Sequence, residues 1–182
     1  MLVEEKKKST EQRPVMSLHV DEIKAATWCK LGELDEVRAR CGIACIQDKL
    51  YIVGGGPKWS AKGTRKVECF NIGTNSIDRN ATSMLNFRRL AVGVAVHQGK
   101  IYAVGGKFSN KNTDCLSTNT VEVWDGESWK ILEAEMNEAR HGMAVVVHND
   151  RLYAIGGYTS QTKRHLRTCE YLDLTESESK QR

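Results

Sequence analysis

One six-residue pattern, repeated three times at a spacing of 51 residues, constrains this fold more than any other feature. Each copy reads aliphatic, Tyr, two apolar residues and Gly-Gly, at residues 50–55, 101–106 and 152–157. Self-similarity at a period near 50 residues is the signature of a repeat architecture. The pattern assigns structural roles to Tyr51, Tyr102, Tyr153, Gly54, Gly55, Gly105, Gly106, Gly156 and Gly157.

Other residues recur at a fixed or similar distance from each Gly pair. Arg38, Arg89 and Arg140 each lie 16 residues before the first Gly of a pair. Small and apolar runs follow each Arg, and they are predicted to be covered on both faces. After each Gly pair comes a variable polar stretch and then a segment with Glu second and Asn or Asp fifth. Such short runs, bounded by Gly, Asn and Asp, predict three or four antiparallel strands per unit.

Together these motifs resemble the kelch repeat. The resemblance rests on the Tyr-x-x-Gly-Gly strand, the Glu-x-aromatic strand, Trp129 seven residues before Met136, and the Arg after it. In the first unit Ile77 and Met84 take the Trp and Met places. The resemblance covers residues 28–174. It implies an all-β fold: a partial kelch β-propeller of about three four-stranded antiparallel blades plus part of a preceding one.

The same resemblance divides the chain. It predicts a disordered charged arm (1–15), the tail of a preceding unit that includes Trp28 (16–29), kelch repeats at 30–78 and 79–130, an incomplete third repeat (131–174) and a disordered tail (175–182). Three blades do not close a ring, since propellers typically have four to eight. A piece of a longer protein, two chains joined head to tail, and an open arc or unrecognised blade all remain open.

Composition excludes several classes of function. The 182 residues are 40% hydrophobic and 27% charged, which fits one soluble globular domain. The net charge of +4 is small and spread along the chain, so no nucleic-acid partner is expected. We expect no membrane partner and a cytoplasmic location, because no apolar stretch has membrane-spanning length and no signal core is evident. Cys41 and Cys45 are predicted to be small buried residues.

Catalytic motifs are missing from the sequence. There is no Gly-x-Ser-x-Gly, no His-Glu-x-x-His and no phosphate loop. His97 and His148 fall at equivalent turns and are interpreted as turn residues. We therefore predict no catalytic, cofactor or metal residues and no enzyme activity. A kelch-fold enzyme is the least favoured alternative.

The hypothesis that the chain binds a partner protein rests mainly on its arginines. Those that precede the first strand of each unit should surround one mouth of the propeller, where guanidinium groups suit an acidic or phosphorylated peptide segment. The alternative is a structural role, in which they bond loop carbonyls. Binding residues also concentrate in variable loops on a rigid scaffold, such as those after the Gly pairs. The candidates are Arg38, Arg40, Arg88, Arg89, Arg140, Lys107, Phe108, Tyr158 and Arg164.

The resemblance implies a protein–protein interaction module. Kelch-like proteins of this kind are substrate-recognition parts of cullin-RING ubiquitin ligase adaptors, a role that needs a BTB domain in a longer parent protein. The alternative implied by the resemblance is an actin- or cytoskeleton-binding kelch protein.

Overall fold

A computed structural model describes residues 27–57, 63–81, 83–108 and 115–175. The predictions for the arm at 1–15, for most of the tail of a preceding unit and for residues 176–182 therefore lie outside the described residues. The chain separates into two compact units, Met1–Lys30 and Leu31–Arg182. Of the first unit, only residues 27–30 are described, and within it the Trp28 side chain is fully exposed.

The second unit is built from short antiparallel strands and one 3-10 turn, Arg79–Ala81. No helix in the described part of the chain is long and apolar enough to cross a membrane. The strands are β1 (Gly42–Ile46), β2 (Lys49–Val53), β3 (Thr64–Asn71), β4 (Ser76–Ile77), β5 (Ser83–Leu90), β6 (Gly93–His97), β7 (Lys100–Val104), β8 (Lys107–Phe108), β9 (Leu116–Ser117), β10 (Val121–Trp124), β11 (Trp129–Ile131), β12 (Ala144–His148), β13 (Arg151–Ile155), β14 (Tyr158–Thr159), β15 (Arg164–His165) and β16 (Cys169–Asp173).

Consecutive strands form three blades. Blade 1 has the order β1-β2-β3-β4, and blade 2 has the order β6-β7-β10-β11. Blade 3 has β12-β13-β16 within the described residues. Gly42 pairs with Val53 in blade 1, and the pairs of the other blades follow at the 51-residue period. The predicted all-β partial propeller is confirmed.

The variable loops contain strands that the repeat pattern did not predict. β5, which leads into blade 2, pairs with β3 of blade 1 and with β8. β8 pairs with β9, and β14 pairs with β15, so the loops after the second and third Gly pairs carry short hairpins. Strand pairing thus fixes the positions of these short strands beside the blade ends.

Neighbouring blades interlock through their first strands, which lie in the order β1, β6, β12. A Cβ atom on Gly42 would lie 2.1 Å from Val94 Cγ2 of the next blade. A Cβ atom on Gly93 would likewise lie 2.1 Å from Val145 Cγ2. Each glycine therefore makes room for a valine of the following blade. Two apolar clusters fill the junctions, one around Val53, Leu85 and Trp129 and the other around Val104, Met136 and Leu152.

Three sequence predictions need correction. First strands were expected to be covered on both faces, yet Ile43 is 62% and Val146 48% exposed, because within the described residues blades 1 and 3 each have one neighbour. Cys45 is exposed and Cys41 half-buried for the same reason. Met84 was matched to Met136, but Met84 is 62% exposed and Leu85 is buried. Leu85, 51 residues before Met136, is the true equivalent.

Candidate functional site

A recurring set of hydrogen bonds around the repeated arginine, named the arginine clasp, joins each described blade to the next. In this clasp the second Gly of a pair donates to the backbone carbonyl of the arginine that precedes the next blade. The Gly55 amide donates to the Arg89 carbonyl of blade 2 at 2.8 Å, and the Gly106 amide donates to the Arg140 carbonyl of blade 3 at 2.9 Å. The φ angles of all six Gly-pair residues are positive, a backbone region that glycine enters without strain. A Cβ atom on Gly54 would lie 2.7 Å from the Arg89 carbonyl oxygen. The Gly pairs are therefore in direct contact with the backbone of the segment that leads into the next blade, and a side chain at these positions would prevent that contact.

The side chains of the repeated arginines are buried and point into the blade that follows the Gly pair. Arg89 Nη1 donates to the Gly105 carbonyl at 2.7 Å, and its Nε donates to Glu122 Oε1 at 2.8 Å. Arg140 repeats the arrangement, with Nη1 donating to the Gly156 carbonyl at 3.0 Å and Nη2 bonded to Glu170. Both arginines are 0% exposed.

Arg38 has the same role in blade 1. Its Nη2 lies 3.3 Å from Glu68 Oε2, and its side chain is 1% exposed. In blades 2 and 3 the glutamate also accepts from an asparagine side chain, Asn86 or Asn137, at 2.9 and 3.0 Å. In blade 1 Asp35 holds the equivalent place and bonds to Arg79 instead. Lys66 supplies a second positive charge to this glutamate, since its Nζ lies 2.7 Å from Glu68 Oε1.

This geometry corrects the binding hypothesis for Arg38, Arg89 and Arg140. Their guanidinium groups are buried and directed to carbonyls and a glutamate of their own blade. A buried, hydrogen-bonded guanidinium group is not available to a partner. The structural alternative therefore accounts for the repeated arginine, and the remaining candidates lie outside that position.

The rim beside the clasp differs from one blade to the next. Two residues after each repeated Arg come Arg40, Ala91 and Gly142, all with positive φ angles. The Ala91 amide donates to the Arg40 carbonyl at 2.9 Å, and the Gly142 amide donates to the Ala91 carbonyl at 2.9 Å. This chain of bonds links the three blades near the first strands. Arg40 therefore sits on a backbone that the neighbouring blade holds in place.

His141 lies on this rim, where the positive charges of Lys107 and Arg40 act on its imidazole. Burial, followed by the positive charges of Lys107 and Arg40, lowers the pKa of His141 to about 4. Its imidazole is therefore neutral at pH 7, with Nδ1 2.8 Å from Ser117 Oγ. The ring also stacks edge-on against Tyr158, with centroids 5.4 Å apart. Residues from all three blades thus surround one histidine.

Other predicted residues lie further out on the same rim. Arg88 is exposed and donates to the Gly63 carbonyl at 3.3 Å. Phe108 packs edge-on against Phe87 at 5.1 Å between ring centroids. Arg164 is 61% exposed and bonds to Glu138 at 2.7 Å. Phe108 lines a groove of about 660 Å³ between blades 2 and 3, and Arg164 is bonded to its wall residue Glu138. The walls also include Leu116, Asn119 and Gln161.

Sequence reasoning missed His141 and Ser117. The signal for His141 was its place directly after the repeated Arg140, a position held by Ala39 and Leu90 in the other units. Ser117 sits in a variable loop and gave no signal. The pair does not form a nucleophile: Ser117 is 5% exposed, and its Oγ accepts from the Ser160 amide at 2.8 Å. No group of three or more His, Cys, Asp or Glu that could hold a metal occurs in the described ranges.

The comparisons with known proteins agree with this architecture. The Kelch motif model matches residues 38–76, 88–133 and 139–180. The chain belongs to the kelch-repeat family. It is 40% identical over 83 residues to human Kelch-like protein 28, and 31% identical over 115 residues to Kelch-like protein 38 of Danio rerio. These matches cover 43% and 63% of this chain.

The chain spans only a small part of these relatives, 14% of Kelch-like protein 28 and 18% of Kelch-like protein 38. Among solved structures, that of YjhT superposes with a TM-score of 0.65 at 12% identity. The superposition covers 79% of this chain and 44% of YjhT. At this identity the likeness shows the fold alone.

Proposed function

We propose that this chain is a protein-interaction module without chemistry of its own. It binds an acidic or phosphorylated segment of a protein partner on the rim formed by Arg40, Lys107, His141 and Tyr158. The observation that carries this proposal is the row of backbone hydrogen bonds from Gly142 to Ala91 and from Ala91 to Arg40, which brings blade 1 beside the His141 segment of blade 3. The positive charges of Arg40 and Lys107 both act on the pKa of His141. Carboxylate and phosphate groups pair well with such clustered cations.

The rim also has the surface that an extended segment needs. The groove between blades 2 and 3 is lined by Phe108, Ser117 and Thr159, with amide and hydroxyl groups on its walls. Ser117 connects the groove to the rim, because its Oγ lies 2.8 Å from His141 Nδ1. Hydrogen-bonded hairpins fix these walls, which lowers the entropy lost when a peptide binds. The acidic group would sit at Arg40 and Lys107, and the rest of the segment would follow the groove.

Direct binding of labelled peptides tests the proposal. The probes are three eight-residue peptides that differ only in carrying Glu, phosphoserine or Gln at alternate positions, measured by fluorescence anisotropy. The acidic or phosphorylated peptide should bind, and Arg40→Asp with Lys107→Glu should weaken it at least tenfold. Asp is chosen at position 40 because short polar residues tolerate its positive φ angle.

A matched control separates the rim from general electrostatics. Lys130 is 61% exposed on the outer strand of blade 2, so Lys130→Glu makes the same change of charge as Lys107→Glu alone, but away from the rim. It should leave binding within about twofold. Equal losses in both variants, or binding of the Gln peptide as tightly as the others, would contradict the proposed site.

Within a longer parent protein, we propose that the module is the substrate-recognition part of a cullin-RING ubiquitin ligase adaptor. The similarity to Kelch-like proteins supports this role. Co-precipitation of the parent polypeptide with a cullin tests it, and a parent without a BTB domain that fails to co-precipitate would reject it. Co-sedimentation with filaments tests the actin-binding alternative. The cytoplasmic location expected from the sequence stays a prediction.

A further inference from the structure

His141 is held in place at the rim by three separate segments of the chain. Its amide donates to the Tyr158 carbonyl, and the Tyr158 amide donates to the His141 carbonyl, both at 3.0 Å. The following amide, that of Gly142, donates to the Ala91 carbonyl at 2.9 Å. The imidazole packs edge-on against Tyr158 and places Nδ1 2.8 Å from Ser117 Oγ. The ring of His141 is therefore fixed at both its backbone and its Nδ1 atom.

The Ser117 hydroxyl can bond to a charged imidazole as well as to a neutral one. Two acceptors for its proton lie nearby, Ser160 Oγ at 3.1 Å and the Tyr158 carbonyl oxygen at 3.4 Å. Its oxygen is then able to accept from Nδ1–H of His141. A protonated imidazole donates from both ring nitrogens. The Nε2 atom has no hydrogen-bond partner among the described residues, so a second donor at that atom would serve a ligand.

The charges that act on His141 are positive. Burial is the largest cause of its low pKa, and the positive charges of Lys107 and Arg40 add to it. No carboxylate of the described residues acts on this pKa. A negative charge placed beside the ring would offset both cations and favour the protonated form.

Other titratable side chains around the ring do not supply that negative charge. Tyr158 presents its aromatic ring to His141, and His165 packs against Tyr158 with centroids 5.1 Å apart. Arg140, the residue before His141, is bonded to Glu170 of its own blade. The one nearby glutamate is thus paired with a buried arginine. The negative charge has to come from a bound partner.

We propose that His141 is a third cationic contact of the rim, charged only while an acidic segment of a partner protein is bound. This inference rests on the proposed function, because it places the acidic segment at Arg40 and Lys107. The carboxylate of the segment offsets these two charges, and His141 takes up a proton from solvent. Its Nε2–H then donates to the carboxylate and its Nδ1–H donates to Ser117 Oγ. Binding is therefore coupled to proton uptake and tightens as the pH falls.

The affinity of the Glu peptide at pH 7.5 and pH 5.5, measured by fluorescence anisotropy, tests this coupling. Glutamate stays ionised over this range, whereas phosphoserine gains a proton near pH 6. If the bound peptide raises the pKa of His141 from about 4 to between about 6 and its ordinary 6.5, the Kd should fall about four- to tenfold.

Two variants assign the proton to one histidine. His141→Gln should bring the ratio of the two Kd values to within about 1.5-fold of one, because glutamine does not titrate. His165→Gln removes the neighbouring histidine and should keep the ratio of the wild type. Circular dichroism at both pH values checks that each variant is folded. A pH dependence that survives in His141→Gln would overturn the proposal.

Calorimetry on the wild type measures the proton directly and needs no variant. The heat of binding at pH 6, in two phosphate-free buffers of different ionisation enthalpy, should reveal uptake of roughly half a proton or more per peptide. Binding with an unchanged Kd and no proton uptake would overturn the role of His141 and leave the peptide site standing. Failure of the Glu peptide to bind at either pH would reject the site itself, and this role with it.

Discussion

Blades 2 and 3 share one backbone register and one arginine clasp, yet they differ in how completely they are enclosed. Glu122 of blade 2 is 0% exposed beside Arg89, whereas the side chain of Glu170 in blade 3 is 15% exposed beside Arg140. Trp129 fills blade 2 at the place where blade 3 has a cavity. The arginine–glutamate pair is therefore present in both blades, whereas the degree to which it is buried depends on the segments packed around each blade.

The same comparison separates scaffold from binding surface. Residues that recur at every period, such as Arg89 and Arg140, are buried and bonded within the fold. Residues that change from unit to unit at adjacent positions, such as Arg40 and His141, face the rim. Under the proposed function, partner specificity would belong to the positions at which the residue changes from one repeat to the next.

The largest difference between the two blades should appear when the buried arginine side chain is removed. Arg89→Ala leaves Glu122 buried and unpaired, which should lower the free energy of unfolding by about 3–5 kcal/mol. Arg140→Ala should cost about 2 kcal/mol, because water reaches Glu170 in part. Urea denaturation measures both, with exposed Arg88→Ala as a control near zero. Equal losses at positions 89 and 140 would contradict the difference in enclosure.

Alanine at the first Gly of each pair should sharpen the contrast. Both residues have positive φ angles, so Gly105→Ala and Gly156→Ala should each lose about 1–2 kcal/mol of stability from the backbone alone. A Cβ at 105 would also lie 2.5 Å from the Arg140 carbonyl oxygen, whereas the nearest atom at 156 is 3.4 Å away. We therefore expect Gly105→Ala to lose about 1–3 kcal/mol more stability than Gly156→Ala. Thermal unfolding of the two variants tests this, and a larger shift at Gly156 would refute it.

Acid should destabilise blade 3 through a residue that the other blades lack. The folded-state pKa of His141, about 4, lies below its ordinary value of 6.5, so the folded state binds fewer protons between these values. The free energy of unfolding should therefore fall by roughly 2 kcal/mol as the pH drops from 6.5 to 4, with no effect of this group above 6.5. Parallel urea titrations of the wild type and His141→Gln isolate the effect. Identical pH profiles would contradict it.

The smallest expected contrast concerns the partner of the indole. Ser83→Ala removes the acceptor for the Trp129 N–H and should cost about 1 kcal/mol. Ala134→Ser makes the reverse change at the cavity of blade 3 and should alter the free energy of unfolding by less than about 0.5 kcal/mol. Both are measured by urea denaturation. A loss of 1 kcal/mol in Ala134→Ser would show that the two sites are not comparable.

Periodicity predicted the repeated strands, and the resemblance of their motifs to the kelch repeat implied the blades and the family. The Tyr-x-x-Gly-Gly strands recur every 51 residues, and the repeated Glu residues recur at spacings of 54 and 48 residues. Whether a repeated Arg is buried depends on side chains from distant segments, such as Glu122 for Arg89, which no local pattern reveals. The rim around His141 joins three blades, and Ser117 comes from a loop without repeat register. The match of Met84 to Met136 was wrong by one position because side chains alternate faces along a strand.

Amide hydrogen exchange at the Gly pairs tests the central claim most directly. The claim is that one hydrogen bond, from the second Gly of a pair to the next arginine carbonyl, joins successive blades. The Gly55 and Gly106 amides should exchange at least tenfold more slowly than the Gly157 amide, which has no following blade among the described residues. Equal exchange at Gly106 and Gly157 would contradict the account.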